Sequence, residues 1–227
     1  GNAVSLALFL HLGTAVSATA YYRREIITVL SSVSEWWRGD AATAPLVFYF
    51  VATLVSGIVG IGSYALLQEV VSALTGGAVV IGIGILLVLM GVFQRVSAER
   101  ETVTSPDPTV VDAVLVGAAQ GIAILPGITR SGMTTGTLLL QGYDGPDAFR
   151  FSFVLSIPAA IGGGLLAAAD SGLQGLTPTA AVAAFVTAAV VGYLSMDVLL
   201  RLVERVAFWA VCLGLGGVAI VGGLSVI

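Results

Sequence analysis

The chain has no lysine: all nine of its basic residues are arginine. It has one cysteine, Cys212, so no internal disulfide can form and the redox compartment cannot be read. A single histidine, His11, excludes a poly-histidine metal site within the chain. Only 10% of residues are charged and the net charge is −4, so no nucleic-acid partner is expected. No basic segment precedes the first apolar run at Ala3, so the start does not read as a signal peptide. What fills the chain instead is apolar: 57% of 227 residues are hydrophobic, and the mean hydropathy is +1.03. A soluble domain cannot hide that much apolar surface, so the expected class is an all-α integral membrane protein. The 29 glycines have no period of three, which excludes a collagen-like chain. In a membrane protein they let helices approach closely.

Hydropathy predicts six transmembrane helices, each near the ~20 residues a bilayer needs. They cover about Ala3–Tyr22, Ala44–Leu67, Leu74–Gln94, Phe151–Ala169, Pro178–Leu200 and Val206–Ile227. Between the third and fourth, Val110–Gln141 is two short apolar segments broken by "PGITRSG". Proline removes an amide donor and glycine loosens the backbone. Broken backbone at membrane depth is tolerated only against protein or a wet cavity. The segment therefore reads as a re-entrant helix-turn-helix with Arg130 at its tip.

The remaining arginines fix an orientation. Arg23, Arg24 and Arg38 follow the first span, Arg95 and Arg100 the third, Arg150 the hairpin, and Arg201 and Arg205 the fifth. If the hairpin enters and leaves on one side, all eight lie on that side, which the positive-inside rule makes cytoplasmic. Three spans then precede the hairpin and three follow it, in opposite orientations, which is an inverted-topology repeat. "AVSLALFLHLGTAV" (Ala3–Val16) aligns without gaps on "AFRFSFVLSIPAAI" (Ala148–Ile161). Residues 1–227 are thus expected to form a single polytopic membrane domain, with a first repeat over 1–109 and a second over 110–227 that contains the hairpin 110–141. The symmetry calls for a matching hairpin upstream of Gly1, missing from this sequence.

An arginine at membrane depth costs on the order of 2.5–3.5 kcal/mol even on lenient scales. It is retained when it binds something. Around Arg130 stand the hydroxyls of Thr129, Ser131, Thr134 and Thr135, while Gly127 and Gly132 would let backbone amides near a ligand. A half-helix starting near Ser131 would add its amides and positive dipole end. Guanidinium, hydroxyls and a helix N-terminus together make an anion site, and the planar fork of arginine suits phosphate. The bland alternative is an ion pair with a distant carboxylate, but a salt bridge does not need a hydroxyl cluster. Gln120, one or two turns before the tip, faces either the pocket or a neighbouring helix.

The stretch "AAQGIAILPGITRSGMTTGTLLLQGYDGPDAFRFSFVLSIPAAIGGGLL" resembles the second signature region of the undecaprenyl-diphosphatase family, the bacitracin-resistance type. That family carries P-G-x-S-R-S-G-x-T followed by A-x-x-F-S-F-L-x-x-I-P, and "HLGTAVSATAYYRREI" resembles its stretch after the first signature. Thr129 replaces the family's first serine and keeps the hydroxyl. The other signature, E-G-x-T-E-F-L-P-x-S-S-x-G-H, would lie before Gly1. The resemblance implies hydrolysis of a polyprenyl pyrophosphate to the monophosphate, recycling the lipid carrier of cell-envelope glycans. It implies that Arg130 clamps the pyrophosphate and that Thr129, Ser131 and Thr134 donate to its oxygens. A divalent cation, Mg²⁺ or Ca²⁺, would sit on carboxylates upstream of Gly1, and no metal ligand is assigned in this chain. Ser131 is the catalytic partner of Arg130 and a candidate nucleophile, though no base for it is visible. The implied setting is the plasma membrane, multi-pass, with the prenyl lipid and the bilayer as partners and homo-oligomerisation left open.

Other residues have plainer readings. His11 is expected to be a core histidine. Asp144 and Asp147 read as helix caps, and Asp197 as an i,i+4 partner of Arg201. Ser152 and Ser156 either line the lipid-phosphate path or serve helix contacts. Trp36, Trp37 and Trp209 read as interface anchors. The rival to the enzyme is a polyprenyl-phosphate carrier, since inverted repeats and broken helices are also transporter features. An intramembrane serine protease fits poorly because no histidine follows "TRSG".

Overall fold

Long runs of small and aliphatic residues can satisfy their backbone polar groups in lipid only by coiling into helices. A computed structural model of the chain describes residues 2–36, 44–73, 76–99, 107–170, 177–205 and 207–225. Among the described residues every regular element is helical: α1 (Asn2–Tyr21), α2 (Arg23–Trp36), α3 (Ala44–Ala73), α4 (Gly76–Ala98), α5 (Val110–Ile122), α6 (Arg130–Leu140), α7 (Gly145–Asp170), α8 (Pro178–Arg205) and α9 (Phe208–Leu224). Three stretches are long and apolar enough to cross a membrane by length and composition: Ala44–Glu69, Gly76–Ala98 and Thr179–Val198. Each run predicted from hydropathy holds one helix, and the broken segment holds two, α5 and α6.

The hydropathy scan missed α2. Its apolar residues Ile26, Leu30 and Val33 recur at helical spacing among polar ones, so the segment never becomes a long apolar run. Arg38 and Trp37 lie outside the described residues, as does Arg100.

The chain divides into two compact units. The first contains α1, α2, the part of α7 from Phe153 onward and α8. Here α1 and α8 run side by side in the same direction: Phe9 meets Phe185 with ring centroids 6.2 Å apart, Ser17 Oγ donates to the Ala189 carbonyl at 2.6 Å, and Tyr21 Oη donates to Asp197 at 2.6 Å. A Cβ on Gly13 would come within 2.8 Å of Ala188 Cβ and of the Phe185 carbonyl oxygen, so this contact depends on glycine. Phe9, Gly13, Ser17 and Tyr21 form an i,i+4 stripe toward α8. His11 lies off that stripe and is exposed, which corrects its expected place in the core. Asp197 takes its hydrogen bond from Tyr21, a partner on another helix that the i,i+4 reading did not anticipate.

The second unit contains α3, α4, α5, α6, the start of α7 and α9. In it α4 and α9 cross antiparallel through glycines. A Cβ on Gly84 would lie 2.8 Å from the Gly216 carbonyl oxygen, and a Cβ on Gly216 would lie 2.7 Å from the Gly84 carbonyl oxygen. The pattern is reciprocal along the crossing: Gly91 abuts Trp209 and Leu213, and Gly223 abuts Gly77 and Ile81. The same sequence interval separates Gly84 from Gly216 and Gly91 from Gly223. At the N-terminal end of α9, Trp209 lies under the guanidinium of Arg95, 4.9 Å from its carbon to the ring centroid.

These contacts predict a sharp contrast between glycines. Gly84→Ala forces a methyl group into opposing backbone and should cost about 1–3 kcal/mol. Gly217→Ala, on the opposing helix α9 but with nothing within 4 Å of the new atom, should stay within ~0.5 kcal/mol. Thermal unfolding of the detergent-solubilised protein measures both.

Candidate active site

The hairpin that carries Arg130 is built by four glycine contacts. Along α5, Gly117 abuts the Ala52 carbonyl at 2.6 Å from a would-be Cβ, and Gly121 abuts Val59 and the Gly60 amide at 2.7 and 2.8 Å. Both numberings rise together, so α5 runs parallel to α3. Along α6, Gly132 fits against Met90 and Gln94, and Gly136 against Phe93 and Ser97, so α6 runs parallel to α4. At the open end of the hairpin, Tyr143 Oη donates to Asp112 Oδ2 at 3.1 Å. Asp112 also closes a capping box with Thr109, accepting from its amide at 2.9 Å and its hydroxyl at 2.7 Å. Burial, and next the negative charge of Asp112, push the Tyr143 phenol well above its ordinary range, so it stays a donor at physiological pH.

The turn lies deep along α4. Gly127 has φ +94°, a conformation that favours glycine, and a Cβ there would meet the Ile83 carbonyl oxygen at 2.8 Å. At 1.5 Å per residue, Ile83 is about 10 Å from the start of α4 and about 22 Å from its end. The hairpin thus stops well inside the length of the helix beside it. Its turn is held by amide bonds from Leu125 to the Ile122 carbonyl and from Ile128 to the Leu125 carbonyl, each 3.1 Å.

Arg130 is the first residue of α6, and Thr129 is the N-cap, with extended backbone and no hydrogen bond from its side chain to the helix start. The first amide to bond back is that of Met133, to the Thr129 carbonyl at 3.0 Å. The amides of Arg130, Ser131 and Gly132 have no carbonyl within their own helix to meet. Thr129, Arg130 and Ser131 thus follow one another at one helix start, where three amides have no partner within the helix. Thr129 and Ser131 are exposed there and Arg130 is half-buried.

The structure divides the other predicted residues. Thr134 is fully buried, one turn in: its hydroxyl donates to the Arg130 carbonyl at 3.0 Å and shares a 2.5 Å bond with Ser152 of α7. Thr135 is buried as well. Gly127 and Gly132 both make their close approach to α4. Gln120 is buried on α5, where Nε2 donates to Ser56 Oγ of α3 at 3.0 Å and Oε1 has no hydrogen-bond partner among the described residues. Asp144 caps α7 by accepting from the Asp147 amide at 2.8 Å, whereas Asp147, expected as a second cap, pairs instead with Arg150 at 2.9 Å. Ser152 serves a helix contact, and Ser156 donates to the Phe153 carbonyl of its own helix at 2.6 Å. Among the described residues no group of three or more His, Cys, Asp or Glu is placed to hold a metal ion.

Sequence reasoning missed Gln94, whose Nε2 donates to Thr129 Oγ1 at 3.4 Å. It sits at the edge of a long apolar run, where a lone amide was the only signal. It also missed Ser56 and Tyr143, which act only through partners far away in sequence.

The family described as "Bacitracin resistance protein BacA" matches residues 2–218. The chain belongs to the BacA family. Among curated relatives, a protein named undecaprenyl-diphosphatase from Haloarcula marismortui is 48% identical over 223 residues, covering 97% of this chain and 83% of the relative. Proteins of the same name from Methanopyrus kandleri and Methanococcoides burtonii are 36% and 33% identical, covering 99% and 95% of this chain and 82% and 81% of their own lengths.

Thr134→Val removes one member of a buried hydroxyl pair and strands Ser152. The expected cost is about 1–3 kcal/mol, read as a lower midpoint of thermal unfolding. Thr134→Ser should recover most of it.

Proposed function

We propose that this BacA-family chain is an undecaprenyl-diphosphatase. It hydrolyses undecaprenyl pyrophosphate to the monophosphate and inorganic phosphate, and so returns the lipid carrier to cell-envelope glycan synthesis. The observation that carries this reading is the start of α6: Arg130 stands at the first helical position, on a hairpin tip, above a helix N-terminus left uncapped by its own threonine. Arg130 binds the non-bridging oxygens of the pyrophosphate bidentately. Thr129, Ser131 and the first amides of α6 donate to the same oxygens, as charge moves onto them when the P–O bond to the terminal phosphorus breaks. Attack is by water, and the leaving group is the prenyl monophosphate. Thr134 supports the site from below by tying the first turn of α6 to Ser152. Gln120 acts with Ser56 to hold α5 against α3. Among the described residues no cluster of three or more His, Cys, Asp or Glu is placed for a divalent cation, and no step is routed through one.

The chain is read as a multi-pass plasma-membrane protein with six spans and the re-entrant hairpin α5–α6. The parallel runs of α5 with α3 and of α6 with α4, the hairpin's depth along α4 and the arginines at the helix ends all support this. The reciprocal α4–α9 crossing supports an inverted repeat within one polytopic domain. BacA membership and the shared name of the relatives favour hydrolysis over a carrier.

The test is phosphate release from undecaprenyl pyrophosphate in detergent. Arg130→Ala should lower kcat/KM by at least about 100-fold, the loss of a charged clamp on a transferring phosphoryl group. Arg130→Lys should recover little, because an ammonium cannot make the planar fork. Full activity in Arg130→Ala would overturn the assignment.

A further inference from the structure

We propose that Gln94 is a positioning residue that fixes the Thr129 hydroxyl as a donor to the phosphate; this rests on the anion-binding reading of the α6 start. An N-cap threonine ordinarily spends a lone pair of its hydroxyl on an amide of the first helical turn. Thr129 does not. Its oxygen instead accepts from Nε2 of Gln94, reaching across from α4 at 3.4 Å. A hydroxyl has one proton and two lone pairs. With a lone pair held by the amide, the proton turns away from Gln94 and toward the open side of the helix start, where Thr129 is exposed. An anion needs a donor there. A hydroxyl free to rotate would present a lone pair part of the time and repel the same oxygen.

Two further observations bear on Gln94. The three groups are wedged together: a Cβ on Gly132 would overlap Gln94 Nε2, Thr129 Oγ1 and Met90 Cε. The glycine that lets α6 approach α4 also seats the amide against the hydroxyl. In addition, Gln94 Oε1 is buried with no hydrogen-bond partner among the described residues. A buried, unpartnered carbonyl oxygen costs stability. A leucine or methionine would fill the same place in this apolar helix without that cost. The amide is therefore explained by what its nitrogen does.

The test is a double-mutant cycle of Gln94→Met and Thr129→Val, read in kcat/KM for undecaprenyl pyrophosphate with unfolding monitored in parallel. Each single change should lower kcat/KM by about tenfold, and the double change should lose no more than the worse single, because Gln94 acts only through the hydroxyl. In a Thr129→Ser background the hydroxyl is back, and Gln94→Met should again lose about tenfold. Gln94→Glu has the same shape but accepts the Thr129 proton and repels the substrate, so it should lose more than Gln94→Met while remaining folded. Losses that multiply in the double variant, or wild-type kcat/KM in either Gln94 variant, would overturn the proposal. If the wild-type protein releases no phosphate, the hydrolase reading fails on its own. The same cycle read in the Kd for methylenediphosphonate then decides on Gln94: coupled losses uphold it and independent losses overturn it.

Discussion

Backbone-to-backbone approach along α4 is the constraint on which the second unit depends. One face of α4 meets α9 at Gly84 and Gly91, and another receives the hairpin at Ile83, Met90 and Gln94. In lipid there is little hydrophobic drive to bring helices together, so contact at this range comes from small residues and van der Waals fit. Any larger side chain at Gly84 or Gly127 would meet backbone, and one at Gly132 would meet the side chains of Gln94, Thr129 and Met90. The depth of Arg130 follows from these contacts. The hairpin descends until Gly127 meets the Ile83 carbonyl, and α6 starts three residues later, its first turn against Gln94.

Chemistry at that start follows from what is withheld. Thr129 could have capped α6 and does not; its hydroxyl accepts from Gln94 instead, and the first amides of the helix have no partner within it. The second turn is the opposite case. Thr134 is spent entirely inside the protein, on Ser152 and on the Arg130 carbonyl. Two threonines five residues apart in one motif thus divide between an exposed hydroxyl at the helix start and a buried one. The BacA family's motif writes both as hydroxyl residues, and only burial tells them apart.

Much of this was legible in the sequence, because bilayer thickness and helix geometry leave few options. Each apolar run holds a helix near its expected bounds, and the break at "PGITRSG" is a turn between two short helices. α2 escaped a hydropathy scan because its apolar residues are periodic rather than continuous. The site was legible as composition around Arg130, but not in its internal division. Nothing local in the sequence says that Thr134 faces Ser152, that Gly132 packs against Met90 and Gln94 of α4, or that Gln94 reaches Thr129. Each depends on which face of a short helix meets its neighbour. His11 was misplaced for the same reason: the stripe of α1 that meets α8 passes through Gly13 and Ser17 and leaves His11 outside it.

The α4–α9 crossing has one more consequence. Its contacts are self-complementary in the manner of a two-fold dimer, where residue i touches j and j touches i. Here both halves of that surface are written in one gene. Gly84 and Gly91 on α4 therefore have equivalently placed counterparts in Gly216 and Gly223 on α9, each free to mutate separately. A methyl group gained at one counterpart can be accommodated only by material lost opposite it. The two helices are bound to change in matched pairs, as the faces of a homodimer do, but without the obligation to stay identical.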